Sequence, residues 1–300
     1  MRRLKAVLTS LRPQQWAKNL LVFAGLIFAQ KLFTPLVWPA LAAFALFCAL
    51  SGAVYLLNDV ADRDKDRLHP TKHLRPVASG RLGAGPAVAI AGVMLGVSLA
   101  LGFALSSGFG FTALAYALLL VAYSAWLQHV LIVDVLAVAG GFVLRAASGA
   151  LVIDVEISGW LLICTILLGL LLALGKRRYE LVALDGGAAR HRPVLARYST
   201  GLLDQMIAVV TASTVTAYAL YTMSPETATK FHTRLLPATL LFVLYGVFRY
   251  LYLLERLQPR GDLSELLLRD RALLLNTLLW MVAVLLVVYG HVVYARVRLG

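Results

Sequence analysis

Charge is scarce in this chain. Asp, Glu, Lys and Arg make up 14% of its 300 residues, where a soluble domain carries about 25%. Acids are scarcer still, 15 against 28 Lys and Arg, which leaves a net charge of +13. In a soluble protein that excess would suggest nucleic acid. Here 60% of residues are hydrophobic and mean hydropathy is +0.81, so the cations read as membrane anchors and no nucleic-acid partner is expected. Cysteine is nearly absent. Cys48 and Cys164 both lie in apolar runs, which excludes a disulfide framework and gives no support to a cysteine metal site. Period-2 alternation is missing, and a membrane barrel with it. Residues 1–19 are basic and polar, so no cleavable leader is expected. No linker or low-complexity stretch divides the sequence, which reads as one polytopic membrane domain, 1–300.

The long apolar runs give the fold class: an all-α integral membrane protein. About nine segments have the ~17–25 residues that a hydrocarbon core demands. They are 19–35, 37–57, 84–105, 110–127, 130–153, 158–175, 204–223, 235–254 and 272–295. Lipid leaves the backbone of an isolated span no alternative to helix. With an odd span count the termini face opposite sides. The segments on the N-terminal side then hold 21 Lys and Arg, and those on the other side hold 5. Positive residues favour the cytoplasm, so the N-terminus is expected there, with the polar loops 58–83, 176–203 and 255–271. A multi-pass protein of the cell membrane follows.

Four of the ten aspartates fall just past the second span, in Asn58-Asp59-Val60-Ala61-Asp62-Arg63-Asp64-Lys65-Asp66. Asn58, Asp62 and Asp66 are spaced i, i+4, i+8, so a helix stacks them on one face, with Asp59 alongside. Carboxylates this close repel unless a cation sits among them. Hard oxygen donors suit Mg²⁺, which commonly joins carboxylates to phosphate oxygens. The segment 69–81 follows at once with Lys72, Arg75 and Arg81. Metal on one side and cations on the other is how a diphosphate is held. The alternative is a solvated loop whose acids pair with Arg63, Lys65 and Arg67.

N-D-x-x-D-x-x-x-D followed by R-P-x-A-S-G, after the second of nine spans, resembles the UbiA-type intramembrane prenyltransferases. That resemblance implies nine helices around a central cavity, with Mg²⁺ and a diphosphate under a cytoplasmic cap. Further blocks are similar to one branch, the decaprenyl-phosphate phosphoribosyltransferases. They are Arg12-Pro13-Gln14-Gln15-Trp16-Ala17-Lys18-Asn19, His69-Pro70-Thr71-Lys72, Tyr123-Ser124 with Asp134-Val135-Leu136, Gly141-Phe142-Val143-Leu144-Arg145-Ala146, and Gly175-Lys176-Arg177-Arg178-Tyr179-Glu180-Leu181. The resemblance implies Mg²⁺-dependent transfer of 5-phosphoribose from phosphoribosyl diphosphate to a polyprenyl (decaprenyl) phosphate. Diphosphate is released, and the product serves cell-wall arabinan synthesis.

Asn58, Asp62 and Asp66 are then the expected metal ligands and catalytic residues. Lys18, Asn19, Asp59, Lys72, Arg75, Tyr123, Arg145, Lys176, Arg177, Glu180 and Tyr198 are the expected substrate-binding residues. Several have a second reading. Lys18 also suits a snorkelling anchor. Lys176-Arg177-Arg178 reads as a phosphate clamp or as a positive-inside cluster, with Glu180 and Asp185 behind it. Arg145, deep in a span, faces either a substrate phosphate or Asp134, eleven residues earlier. Tyr198, Ser199 and Asp204 read as pocket lining or as a helix cap. Gln128-His129 stands where superfamily members often have a lysine, which removes one expected cation. Gly140-Gly141 offers a packing patch for a homo-oligomer. Two other functions compete: an aromatic prenyltransferase of quinone biosynthesis, and a polytopic transporter, whose coupling charges would lie at the midplane instead.

Overall fold

The computed structural model describes residues 2–68, 72–183, 193–256 and 270–299. Helix is the only regular structure among them. Among the described residues eight helices are long and apolar enough to cross a membrane, and the protein is a multi-pass membrane protein. The chain divides into two compact units.

The first unit holds residues 1–127 and 141–157. Its elements are α1 (Arg2–Ser10), a 3₁₀ helix (Pro13–Val22), α2 (Phe23–Phe28), α3 (Val37–Ala61), α4 (Arg63–Arg67), α5 (Ala84–Leu105) and α6 (Ser107–Ala125). The second half of α7 (Val133–Leu151) completes it. The first expected span, 19–35, is a broken segment and is not among the eight long helices. A Schellman closure ends α2: Gln30 takes a left-handed φ of 58°, its N–H donates to Ile27 (3.1 Å), and the Lys31 N–H donates to Leu26 (3.0 Å). Pro35 follows before α3 begins. A single extended residue, Ser106, turns α5 into α6. Phe47 sits at the core between Phe109 (5.6 Å between ring centroids) and Tyr116 (5.2 Å). Gly149 of α7 touches the Val22 carbonyl, and any Cβ there would collide with it. That contact seats the 3₁₀ helix, and Asn19 on it, against α7.

The second unit holds residues 128–140 and 158–300. It contains the first half of α7, α8 (Gly159–Ala183), a 3₁₀ turn (Pro193–Arg197), α9 (Thr200–Met223), α10 (Pro225–Phe231), α11 (Leu240–Arg256) and α12 (Arg271–Leu299). Ser199 caps α9, its hydroxyl accepting the Leu202 N–H at 3.1 Å. The cap reading of that residue is therefore the one realised. Leu171, Leu174, Tyr179, Leu203, Ile207 and Tyr250 form the core. Helix α8 runs about two turns beyond its expected end at 175. Lys176, Arg177 and Glu180 consequently stand on a helix and not in a loop. Residues 69–71, Asp185 and most of the expected loop 255–271 lie outside the described residues.

Candidate active site

The acids at the end of α3 follow a nearly continuous helical path. The Asp62 N–H donates to the Asn58 carbonyl (2.9 Å), and the Asp66 N–H to the Asp62 carbonyl (2.8 Å). The four side chains differ sharply in environment. Asp59 is 1% exposed and Asp66 4%, Asn58 is half-buried, and Asp62 faces outward. Burying a carboxylate requires a partner. Asp59 has two, Arg12 and Arg75 (3.2 Å). Asp66 accepts from the same Arg75 nitrogen at 2.7 Å. Asp62 makes no ion pair among the described residues. The solvated-loop reading holds only for Asp64, which pairs with Arg63 (3.2 Å) and Arg67 (3.4 Å).

Arg75 is held in place by the R-P-x-A-S-G turn. The Ser79 N–H closes on the Arg75 carbonyl (2.8 Å), and the Leu82 N–H on that of Pro76 (2.9 Å). Val77 and Ala78 are buried as anchors, and Gly80 supplies the left-handed φ of 77° that the turn needs. Arg67 donates to the Ala78 carbonyl at 3.2 Å. Lys72 stands exposed on the short 3₁₀ turn just before.

Metal fit rests on the donor set. Three hard-oxygen side chains, Asn58, Asp62 and Asp66, lie on successive helical turns, and Asp62 is without an ion pair among the described residues. Among the described residues no three His, Cys, Asp or Glu groups are gathered closely enough to hold a metal by themselves. An amide and two acids completed by phosphate oxygens remain consistent with that.

Arg145 is 5% exposed inside α7. Its guanidinium is held by neutral groups: the Asn19 carboxamide (2.7 Å), the Gly141 carbonyl (2.8 Å) and the Tyr116 hydroxyl. The rings of Tyr116 (4.5 Å) and Phe142 (5.7 Å) lie beneath it. Asn19 is itself 1% exposed and donates to Cys48 Sγ (3.3 Å) and Ser51 Oγ (3.4 Å). Gly141 packs against Arg145 and Tyr116. Lys18 is half-buried beside Asn19, and Tyr123 is half-buried near the end of α6.

In the second unit Asp134 takes Arg177 as its partner, at 2.6 Å, so the Arg145–Asp134 alternative is not the one realised. Arg177 is 2% exposed and Asp134 is fully buried. Arg177 also donates to Glu180 (2.8 Å), whose other oxygen stands 4.0 Å from Lys176. Tyr198 donates to Asp134 (2.7 Å) and accepts the Ile132 N–H (3.0 Å). Burial first, and then the Asp134 hydrogen bond, push the Tyr198 phenol above its ordinary value. Arg178 takes Asp204 (2.5 Å) and Glu255 (2.6 Å) at the mouth of a cavity of about 230 Å³. His129 is exposed.

Sequence reasoning left three partners out of the expected site. Arg12 holds Asp59, Tyr116 holds Arg145, and Asp134 holds Arg177. The sign for Arg12 was its place at the head of the block Arg12–Asn19 that carries the family resemblance. Tyr116 carried none, because an aromatic in a span is most often core.

The UbiA prenyltransferase family model matches residues 19–269. Decaprenyl-phosphate phosphoribosyltransferase of Mycobacterium tuberculosis is 30% identical, over 93% of this chain and 92% of its own length. The protein of the same name from Mycolicibacterium smegmatis is 28% identical, over 91% and 89%. Among solved structures, a UbiA homolog from Archaeoglobus fulgidus bound to GPP and Mg²⁺ superposes with a TM-score of 0.72. It is 18% identical, over 94% of this chain and 99% of that one, which speaks to the fold alone. Fold, family model and relatives together define a class, the helical multi-pass membrane transferases. Within that class the chain belongs to the UbiA prenyltransferase family.

Proposed function

We propose that this enzyme transfers 5-phosphoribose from phosphoribosyl diphosphate to a polyprenyl phosphate, with decaprenyl phosphate the acceptor suggested by its relatives' names. The product would feed cell-wall arabinan synthesis. The observation that carries the reading is the acid–arginine cluster of Asp59, Asp62, Asp66, Arg12 and Arg75 at the end of α3. It sets hard oxygen donors beside guanidinium groups, which is what a metal-bound diphosphate needs. Whole-length similarity to proteins named decaprenyl-phosphate phosphoribosyltransferase supports this choice of donor and acceptor.

Asn58, Asp62 and Asp66 would hold Mg²⁺, which when bound neutralises charge on the departing diphosphate. Arg75 and Lys72 bind the diphosphate from the other side, and Asp59 keeps Arg75 oriented. Arg145, solvated by neutral groups alone among its contacts described above, retains its charge for a ribose or lipid phosphate, with Lys18 and Asn19 beside it. In the second unit, Lys176 is taken as a phosphate contact. Tyr123 lines the substrate path. The C1–O bond to diphosphate breaks, and diphosphate leaves with the electron pair. A lipid phosphate oxygen bonds to C1 from the opposite face, so C1 inverts. The phosphate monoester is already anionic at neutral pH, so no general base is required. The protein is taken as one polytopic domain of the cell membrane with a cytoplasmic N-terminus, from the asymmetry of its Lys and Arg.

The test is a product assay on detergent-purified protein. One tube receives phosphoribosyl diphosphate and a polyprenyl phosphate, the other a prenyl diphosphate and aromatic acceptors. The expected result is lipid-linked phosphoribose in the first tube alone. A prenylated aromatic in the second would replace the donor assignment.

A further inference from the structure

Arg177 belongs to the basic triplet of α8, yet it is the largest side chain that is fully buried among the described residues. Unlike Arg145, whose partners above are neutral, Arg177 is 2% exposed with two carboxylates on it, so its charge is already engaged. The contacts form a chain that runs from inside outward. The Ile132 N–H donates to the Tyr198 hydroxyl, Tyr198 to one Asp134 oxygen, and Arg177 to the other. Arg177 then fixes one oxygen of Glu180, whose second oxygen lies 4.0 Å from Lys176. Exposure rises along this chain, from a fully buried Asp134 to 26% for Glu180 and 43% for Lys176.

We infer that Asp134, Arg177 and Tyr198 are positioning residues, which act through Glu180 to hold Lys176 and Glu180 as the substrate-facing pair of the second unit. This rests on the reading of Lys176 as a phosphate contact given above. Each buried member is matched in charge or by a hydrogen bond, so the arrangement is rigid and polar without a net buried charge. Glu180 is oriented by a fork that only a guanidinium can make. A lysine at 177 keeps the charge but cannot grip Asp134 and Glu180 in the same geometry. Tyr198 fixes Asp134 in turn, because its hydroxyl is satisfied on both sides.

The test is a double-mutant cycle. Asp134→Asn and Tyr198→Phe are made alone and in a Glu180→Gln background. For each variant kcat and KM for phosphoribosyl diphosphate are measured, together with the thermal midpoint in detergent. Residues coupled through one network are non-additive, so each single change should lower kcat about tenfold in the wild-type background. In the Glu180→Gln background the same change should cost less than about twofold. Arg177→Lys should behave like Glu180→Gln, with reduced kcat and a KM near wild type. Tyr198→Phe removes one hydroxyl and serves as the milder variant where Asp134→Asn fails to fold. Equal losses in both backgrounds would make these residues merely structural and overturn the inference. So would an Arg177→Lys variant whose only defect is a raised KM, since that marks a direct ligand. Full activity of Glu180→Gln would also overturn it, while leaving phosphoribosyl transfer intact. The wild-type product is identified first, so that an error in the donor is seen separately.

Discussion

At the scale of single residues, burial separates groups that spacing alone treats alike. Asp62 is exposed and without an ion pair among the described residues, whereas Asp66 is buried against Arg75. Asp62→Asn should therefore abolish turnover while leaving the thermal midpoint unchanged. Asp66→Asn should lose turnover and also stability, by about 3 kcal/mol, because it leaves a charge unmatched. Unfolding curves of the two variants in detergent check the contrast, and equal midpoints would contradict it. Arg145 makes a similar point. That it is a buried cation is legible from its place in a span. Its acceptor was not, because Asn19 is 126 residues distant and no local pattern links them. Asn19→Leu should cost about 2 kcal/mol, the worth of a hydrogen bond to a charged group. A thermal midpoint unchanged by that substitution would contradict it.

At the scale of elements, apolar runs gave eight long helices within a few residues, because lipid imposes both their length and their helicity. The stretch 19–35, the weakest of the expected spans because Lys31 interrupts it near one end, is broken by the Gln30 turn, whose backbone geometry hydropathy does not record. The extension of α8 past 175 was missed for the opposite reason. Its last turns are polar, and a hydropathy boundary is not a helix boundary. Close contacts fix where helices meet. At Gly175 of α8 the Tyr250 hydroxyl fills the place of a side chain. Gly175→Ala should cost about 2 kcal/mol by overpacking and lower activity through Lys176 beside it. A thermal scan measures the first effect and the product assay the second. Helix α12 is started by Asp270, whose carboxylate accepts the Leu273 N–H (2.7 Å) and both nitrogens of the Arg249 fork (3.2 and 2.7 Å). Arg249 is therefore anchored by an acid. The Arg249 hydrogen bond holds the Asp270 carboxyl below the usual carboxylate range. A depressed pKa contributes stability above the unfolded-state value, and the contribution is lost as pH falls through the folded one. Asp270→Ala should thus lower the thermal midpoint at pH 7, and the gap from wild type should close as the medium is acidified below pH ~4. A gap that stays constant with pH would contradict this.

At the scale of the whole molecule, the distribution of cations predicts topology. Ser79 lies in a segment of the cation-rich side and Lys230 in a segment of the other, and both are exposed. With Cys48 and Cys164 replaced, Ser79→Cys should react with an impermeant thiol reagent only from the cytoplasmic side. Lys230→Cys should react only from outside, and the reverse pattern would invert the assigned orientation. The family and the fold were legible in the sequence because the N-D-x-x-D-x-x-x-D motif and the span pattern reinforce each other. The network behind Lys176 was not, because Ile132 with Asp134, Arg177 and Tyr198 lie on three segments that only folding brings together. The central claim is that the acids closing α3 form the metal–diphosphate site of a phosphoribosyl transfer. It is tested most directly by diphosphate release from phosphoribosyl diphosphate with polyprenyl phosphate present, in wild type and Asp62→Asn across a Mg²⁺ titration. Release should rise with Mg²⁺ in the wild type, be abolished by chelation, and be missing from a folded Asp62→Asn. Release by Asp62→Asn at the wild-type rate, with the same Mg²⁺ dependence, would contradict it.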